Sequence, residues 1–131
     1  MITIQELEAR LMPLLEEMGH NLREQFPSTS VYVYSRASTR GCGFYIDCVI
    51  AGLPPKDEDN VALTIDTSHW TTSPRINADI CWGHPSGQLE AEVFEDDQPL
   101  TDESVEQVIE QLPRLYAALC KALERRRPPD G

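Results

Sequence analysis

The stretch Ile76–Val93, INADICWGHPSGQLEAEV, decides the fold predicted for this chain of 131 residues. Two runs of alternating apolar and polar residues flank the turn-forming residues HPSG, which is the pattern of an antiparallel β-hairpin. Matching the apolar faces pairs Gly83 with Gln88, because a slip of one residue would turn every side chain over. In that register Asp79 lies opposite Glu92. The hairpin therefore predicts a half-buried sheet whose other face carries carboxylates.

Five strand-like runs with this alternation occupy the middle of the chain. They are Val31–Arg36, Cys42–Ala51, Val61–Trp70, Ile76–Gly83 and Gln88–Glu95. Their connections RASTRG, GLPPKDEDN, TTSPR and HPSG are rich in turn-forming residues. Because the connections are short, consecutive strands are expected to pair, which predicts an antiparallel meander.

An amphipathic helix is predicted on each side of the strands. The first begins at a capping box, Thr3-x-x-Glu6, and keeps apolar residues at helical spacing over about 22 residues. The second begins near Thr101, with acids in its first turn and three arginines at its end, as the helix dipole favours. Pro13 and Pro113 fall inside these helices and are expected to kink or divide them.

The elements together predict one α+β domain over residues 1–127 and a disordered tail at 128–131. The expected architecture is a two-layer sandwich: an N-terminal helix, a five-stranded antiparallel meander and a C-terminal helix, with both helices on one face of the sheet. The length and a hydrophobic content of 40 % suffice for one buried core.

The chain is strongly acidic, with 22 acids, 11 bases and a net charge of −11. Residues 61–100 carry seven acids against the single base Arg75. Such a charge repels nucleic-acid phosphates and anionic membrane surfaces and attracts basic proteins and cations. We therefore expect no nucleic-acid or membrane partner, and no stretch approaches the roughly 20 apolar residues of a membrane span.

The four cysteines, Cys42, Cys48, Cys81 and Cys120, form no C-x-x-C pair. This spacing favours free and mostly buried thiols over a zinc or redox motif. Free thiols suit a reducing compartment, and the N-terminus does not have the pattern of a signal peptide. The expected location is cytoplasmic.

The predicted registers set Asp66 opposite Asp79, Asp47 beside Asp66 and Tyr32 beside Asp47. The result is a row of side chains across the sheet face that no helix covers, with Cys81 expected to face Glu90. The candidate partner-binding residues are Tyr32, Tyr34, Tyr45, Asp47, Asp66, Asp79, Glu90 and Glu92. Like charges directly opposite each other destabilise a sheet by up to about 1 kcal/mol per pair, so their placement calls for an explanation.

Three interpretations of the row compete. The carboxylates extend into water as an ordinary solvated face, or they receive a basic partner while the tyrosines supply contact area. In the third, they hold a hard cation such as calcium or magnesium, in a ligand-binding and by extension hydrolytic protein. The sequence has no H-E-x-x-H, G-x-S-x-G or phosphate-loop motif, so we expect no cofactor, metal or catalytic site.

Our preferred hypothesis is a small, acidic, non-enzymatic interaction module. In size and charge the chain resembles small acidic α+β proteins that neutralise toxins or escort secreted effectors, which implies an immunity- or chaperone-like role. It departs from the effector-escort pattern, which normally has a helix among the strands where this chain has GLPPKDEDN. The strand 31–36 has few charges to protect a free edge, which predicts a homodimer through it.

Overall fold

The computed structural model describes residues 2–38, 41–50, 60–68, 73–82 and 88–126. In chain order the elements are α1 (Ile4–Gln25), β1 (Thr29–Ser38), β2 (Gly41–Ile50), β3 (Asn60–Ser68), β4 (Arg75–Trp82), β5 (Gln88–Glu92), β6 (Gln98–Pro99) and α2 (Asp102–Arg125). Strands β1 to β5 lie side by side in chain order as an antiparallel meander. The predicted α+β architecture is confirmed, and the short β6, which pairs with β4, was not predicted.

Both helices cover the same face of the sheet, as predicted: α1 packs on β1 and β2, and α2 packs on β3, β4 and β5. The chain reverses direction at each strand, so five antiparallel strands leave the two helices parallel to each other. Contacts at their two ends agree with this. Arg10 pairs with Asp102 at the start of α2, and the Tyr116 hydroxyl donates to Gln25 at the end of α1.

The core lies between the helices and the inward face of the sheet. Its fully buried side chains include Leu7, Leu11, Leu15 and Leu22 of α1, Phe44, Ile46, Leu63, Ile65 and Ile80 of the sheet, and Val105, Val108, Leu115 and Leu119 of α2. Burying each such side chain contributes about 1.5–3 kcal/mol relative to leaving it exposed. This apolar face therefore fixes which way every strand is turned.

Side-chain hydrogen bonds cap the N-termini of both helices at the positions that the sequence predicts. The Thr3 hydroxyl accepts from the Glu6 backbone N–H at 3.1 Å. Thr101 and Ser104 form a reciprocal pair, each side-chain oxygen accepting from the other residue's backbone N–H. These bonds satisfy N–H groups that have no partner within the helix.

Neither proline divides its helix. Both α1 and α2 continue through Pro13 and Pro113, and both rings are exposed. A proline removes one backbone hydrogen bond, and on the exposed side of a helix water can take the place of the lost donor.

Several predicted features lie outside the described residues: the tail 128–131, the connection 51–59, the HPSG turn, and the strand end at His69 and Trp70. Within the described part, none of the helices combines the length and apolar character needed to cross a bilayer.

Gly19 sets how closely α1 approaches the sheet. It is buried, and a Cβ atom built there would lie 2.5 Å from Cγ2 of Val33 on β1. That distance is well below van der Waals contact, and valine has little rotational freedom with which to move away. Glycine at this position therefore allows the helix to lie directly on the strand.

We expect Gly19→Ala to lower the free energy of unfolding by about 1–3 kcal/mol, because the added methyl overpacks the contact with Val33. Helix propensity alone would favour alanine by up to about 1 kcal/mol, so the two effects have opposite signs. Urea unfolding followed by circular dichroism measures the change. In a Val33→Ala background the loss should disappear, and a loss that persists there would contradict the close-packing explanation.

Candidate binding site on the open sheet face

The sheet face turned away from the helices, here called the open face, carries seven of the eight predicted binding residues. They are Tyr32 and Tyr34 on β1, Tyr45 and Asp47 on β2, Asp66 on β3, Asp79 on β4 and Glu92 on β5. Strand alternation puts them there because their neighbours along each strand are buried or half-buried and point toward the helices.

Of the four cross-strand pairs predicted within the row, two are confirmed and two are wrong. Tyr32 lies opposite Asp47, and Asp79 lies opposite Glu92. Asp66, however, pairs with Asn77 and Gly43, while Asp79 pairs with Thr64 and Asp47 with Ala62. Both errors are slips by an even number of residues, two between β3 and β4 and four between β2 and β3. Such a slip keeps every apolar side chain on the inward face, so matching the faces could not detect it.

The observed register separates the carboxylates that the prediction set side by side. Residues directly opposite have Cβ atoms about 5 Å apart, whereas diagonal neighbours are about 7–8 Å apart. Asp66 and Asp79 are now diagonal, because Thr64 and Asn77 lie opposite them instead. The register therefore weakens one like-charge contact and leaves Asp79 and Glu92 as the direct acidic pair.

Glu90 was predicted on the open face beside Cys81, and this placement is wrong. A β-bulge between Ile80 and Cys81 shifts the pairing so that Leu89, not Glu90, lies opposite Cys81. A bulge adds one unpaired residue to a strand. Side chains beyond it therefore point to the opposite face from the one that simple alternation predicts. Glu90 consequently pairs with Arg125 and Arg126 at the end of α2, on the helical side of the sheet.

The Glu90 carboxylate joins β5 to α2. Partial burial would raise its pKa, but hydrogen bonds and charge from Arg125 and Arg126 outweigh that effect and lower it. The Arg126 guanidinium also lies 3.9 Å from the centroid of the Trp82 ring. This cation–π and ion-pair cluster is structural, so Glu90 is not part of the candidate site.

Apolar and aromatic side chains accompany the acids on the open face. Tyr32 is 55 % exposed and Leu89 53 %, and Tyr34 and Val49 are also exposed. The rings of Tyr34 and Tyr45 stack with centroids 4.9 Å apart. Every large exposed apolar side chain among the described residues thus lies on this one face.

Gly43 allows the Tyr45 ring to lie flat on the sheet. A Cβ atom at Gly43 would sit 2.1 Å from the Tyr45 hydroxyl oxygen, so only glycine leaves room for the ring there. The hydroxyl is thereby brought over β2 next to β3, where Asp66 lies opposite Gly43. Desolvation and the nearby Asp66 charge raise the pKa of Tyr45.

Asp66 and Asp79 are carboxylates in an unfavourable environment. Desolvation raises the pKa of Asp66 to about 6, helped by the charges of Asp79 and Asp97, although part of the side chain still reaches solvent. Desolvation also raises the pKa of Asp79, while a hydrogen bond from the Cys81 thiol at 3.3 Å opposes the shift. Among the residues that the structure describes, neither carboxylate forms an ion pair.

Asn77 has a role that strand alternation does not reveal. Its side-chain amide accepts from the Phe94 backbone N–H at 3.1 Å and donates to the Phe94 carbonyl at 3.0 Å. It also donates to the Asp97 carboxylate at 3.2 Å. Beyond the end of β5, the Asn77 amide thus provides the hydrogen bonds that the backbone of a neighbouring strand would otherwise provide. It also holds the Asp97 carboxylate near Asp66 and Asp79.

The structure gives little support to metal or nucleophile chemistry in the part of the chain it describes. There, no group of three or more His, Cys, Asp or Glu side chains is arranged to hold a metal ion. His20 is exposed, and its Nε2 atom lies 3.2 Å from Oε1 of Glu24 on α1. All four cysteines are free, and burial raises the pKa of Cys48 and Cys81 to about 12, away from a reactive thiolate.

Comparisons with known proteins add no family. No protein-family model, no curated protein and no solved structure matches this chain.

We expect Asp66→Asn to stabilise the protein near pH 7.5 and to have almost no effect near pH 4. The folded-state pKa of about 6 lies above the unfolded value, so the protonated carboxyl favours folding at low pH and the benefit is lost as pH rises through 6. Because the side chain is partly solvated, the gain near pH 7.5 should be about 1 kcal/mol rather than the full shift. Urea unfolding at both pH values tests this, and an equal gain at both would contradict a raised pKa.

Proposed function

We propose that this chain is a small acidic, non-enzymatic interaction module that binds a basic protein through the open face. The observation that carries the proposal is that exposed aromatic side chains and carboxylates without an ion partner among the described residues lie together on the open face. Tyr32 and Tyr34 lie at one side of that surface, and Asp66 and Asp79 lie toward the other.

The two halves of the open face suit different parts of a partner. Strands β1 and β2 offer stacked tyrosines, which bury large areas at low entropic cost and accept arginine over their rings. Strands β3 to β5 offer Asp66, Asp79 and Glu92, which suit lysine or arginine side chains. A surface on the partner with apolar and basic groups side by side meets both requirements.

Binding of a cationic group would offset the unfavourable charge environment of Asp66 and Asp79. Desolvation and repulsion by Asp79 and Asp97 raise the pKa of Asp66, although the residue is exposed at the surface. A guanidinium or ammonium group placed there supplies the missing countercharge and hydrogen bonds. Binding should therefore release a proton near pH 6 and strengthen as the pH rises from 5 to 7.

The size of the open face limits what contact area alone can contribute. Five strands at about 4.8 Å spacing span about 20 Å, and eight residues at about 3.3 Å give about 26 Å of length. The resulting area of about 500 Å² is below the roughly 800 Å² per partner of a standard interface. Charge attraction, supported by the net charge of −11, then supplies much of the association rate and specificity.

The compositional resemblance to toxin-neutralising and effector-escorting proteins is compatible with this partner, because a strongly acidic protein attracts a basic one. Four free cysteines support a reducing compartment, and we propose a cytoplasmic location.

The proposal predicts that Asp66→Asn combined with Asp79→Asn preserves folding but abolishes capture of the basic partner by immobilised protein. The partner is identified by mass spectrometry from the wild-type capture and then tested as a purified protein. The matched control is Glu16→Gln with Glu103→Gln, which removes the same charge from exposed sites on the helices. This control should retain binding within about threefold if local contacts rather than net charge decide affinity. Equal binding by the open-face double variant would exclude the open face.

A thermal-shift measurement in calcium, magnesium and EDTA separates this proposal from the cation-binding alternative. A cation at about 100 times its dissociation constant stabilises the folded state by about 2.7 kcal/mol, which raises the melting temperature measurably. A shift that Asp66→Asn removes would support the cation site instead of the protein partner.

We also propose a homodimer through the outer edge of β1. Among the described strands β1 is a ten-residue edge strand paired only with β2, and it carries the exposed Tyr32 and Tyr34. Addition of a second β1 across a two-fold axis would pair its free backbone groups. The Arg23 side chain already donates to the Val31 carbonyl at 2.8 Å, so pairing should involve the later part of the strand.

Size-exclusion chromatography with light scattering should give twice the chain mass of 14.8 kDa for the wild type. Tyr32→Lys combined with Tyr34→Lys should give the monomer mass, because like charges would face each other across the axis. Val49→Lys, on the same face but on β2, is the control and should remain a dimer. A wild-type mass of one chain at all concentrations would contradict the edge dimer.

A further inference from the structure

A groove with an apolar floor runs between the two helices on the side away from the sheet. It encloses about 300 Å³ and is lined by Leu14, Met18, Ile109, Leu112, Pro113 and Tyr116, with Glu17 and Asn21 at its border. It lies on the opposite side of the molecule from the open face, because α1 and α2 cover the other face of the sheet.

Polar contacts close the groove at both ends and leave its centre apolar. At one end Arg10 pairs with Asp102 at 3.3 Å and with Glu106. At the other end Tyr116 and Cys120 donate to the Gln25 side chain. Between these contacts the half-buried apolar side chains face a gap, because α1 follows β1 and β2 while α2 follows β3 to β5.

The charge around the groove has one predominant sign. Glu17 borders it directly, Glu24 continues the same stripe of α1 two turns later, and Asp102 and Glu106 stand on α2. Arg10 is already engaged by the acids of α2, and His20 lies 3.2 Å from Glu24. An occupant must therefore present apolar side chains toward the groove and positive charge toward its borders.

We infer that this groove binds an amphipathic basic helix of a partner protein. The apolar length from Leu14 to Asn21 is about 10 Å, which two turns of a docked helix would cover with residues at i, i+3, i+4 and i+7. Lysine or arginine beside that stripe would meet Glu17, and would compete with His20 for Glu24 and with Arg10 for Glu106. This site is separate from the open face, and neither surface requires the other.

The test uses a fluorescein-labelled Leu/Lys peptide of about five turns, with leucine at i, i+3, i+4 and i+7 along one face. Its scrambled isomer has the same charge and composition without an apolar face. Fluorescence anisotropy should show binding of the amphipathic peptide and at least tenfold weaker binding of the isomer. Equal binding of the two peptides would mean that net charge alone attracts them, and the groove proposal would fail.

Two matched pairs of variants locate the site. Leu14→Ser should weaken peptide binding at least tenfold, whereas Leu89→Ser, which removes the same side chain from the open face, should leave it unchanged. Glu17→Lys should weaken binding severalfold, whereas Glu16→Lys makes the same charge change one residue away, outside the groove, and should have a much smaller effect. Circular dichroism checks the fold of each variant, and the Glu17 and Glu16 pair decides the question if Leu14→Ser fails to fold.

The remaining outcomes distinguish this inference from the proposed function. Asp66→Asn with Asp79→Asn should bind the peptide as the wild type does, so loss of binding in that variant would assign the peptide to the open face and overturn the inference. A dimer that Leu14→Ser dissociates would show that a second copy of the chain occupies the groove, which would overturn it as well.

Discussion

Burial of one sheet face beneath two helices is the constraint from which the rest of this structure follows. Leucines of α1 and α2 cover Phe44, Ile46 and Ile80 on the inward face, and each strand is turned by that requirement. Successive side chains point to opposite faces, so whatever the sequence holds at the intervening positions must emerge on the open face. Carboxylates are gathered there by the packing on the other side, even though they repel one another.

The register of β3 and β4 reduces the energetic cost of placing these carboxylates close together. This register sets Asp66 opposite Asn77 and Asp79 opposite Thr64, so Asp66 and Asp79 are diagonal neighbours and each has a neutral polar residue directly opposite on the other strand. Asn77 contributes twice, because it also ties the chain at Phe94 to β4. Desolvation raises the pKa values of Asp66 and Asp79 in this cluster, and neither carboxylate has an ion partner among the described residues.

The β-bulge changes the chemistry of the sheet edge in two ways. It brings Leu89 to the open face, and it turns Glu90 to the helices, where Arg125 and Arg126 neutralise it. The single extra residue of the bulge thus places Leu89 instead of Glu90 on the candidate binding surface. It also allows Glu90 to bind the arginines at the end of α2. The molecule is left with two surfaces of different geometry: a broad open face and a narrow groove between the helices.

Local pattern was sufficient to predict the order of elements, the capped helix starts, the antiparallel meander and the side of the sheet on which seven binding candidates lie. These features depend on periodicity and on burial of one face, and both can be read along the chain. The pairing of Asp66, the position of Glu90 and the role of Asn77 were decided only by tertiary structure. A register shifted by two residues buries the same side chains, and the bulge is stabilised by arginines more than thirty residues away. Neither feature can therefore be predicted from the local sequence.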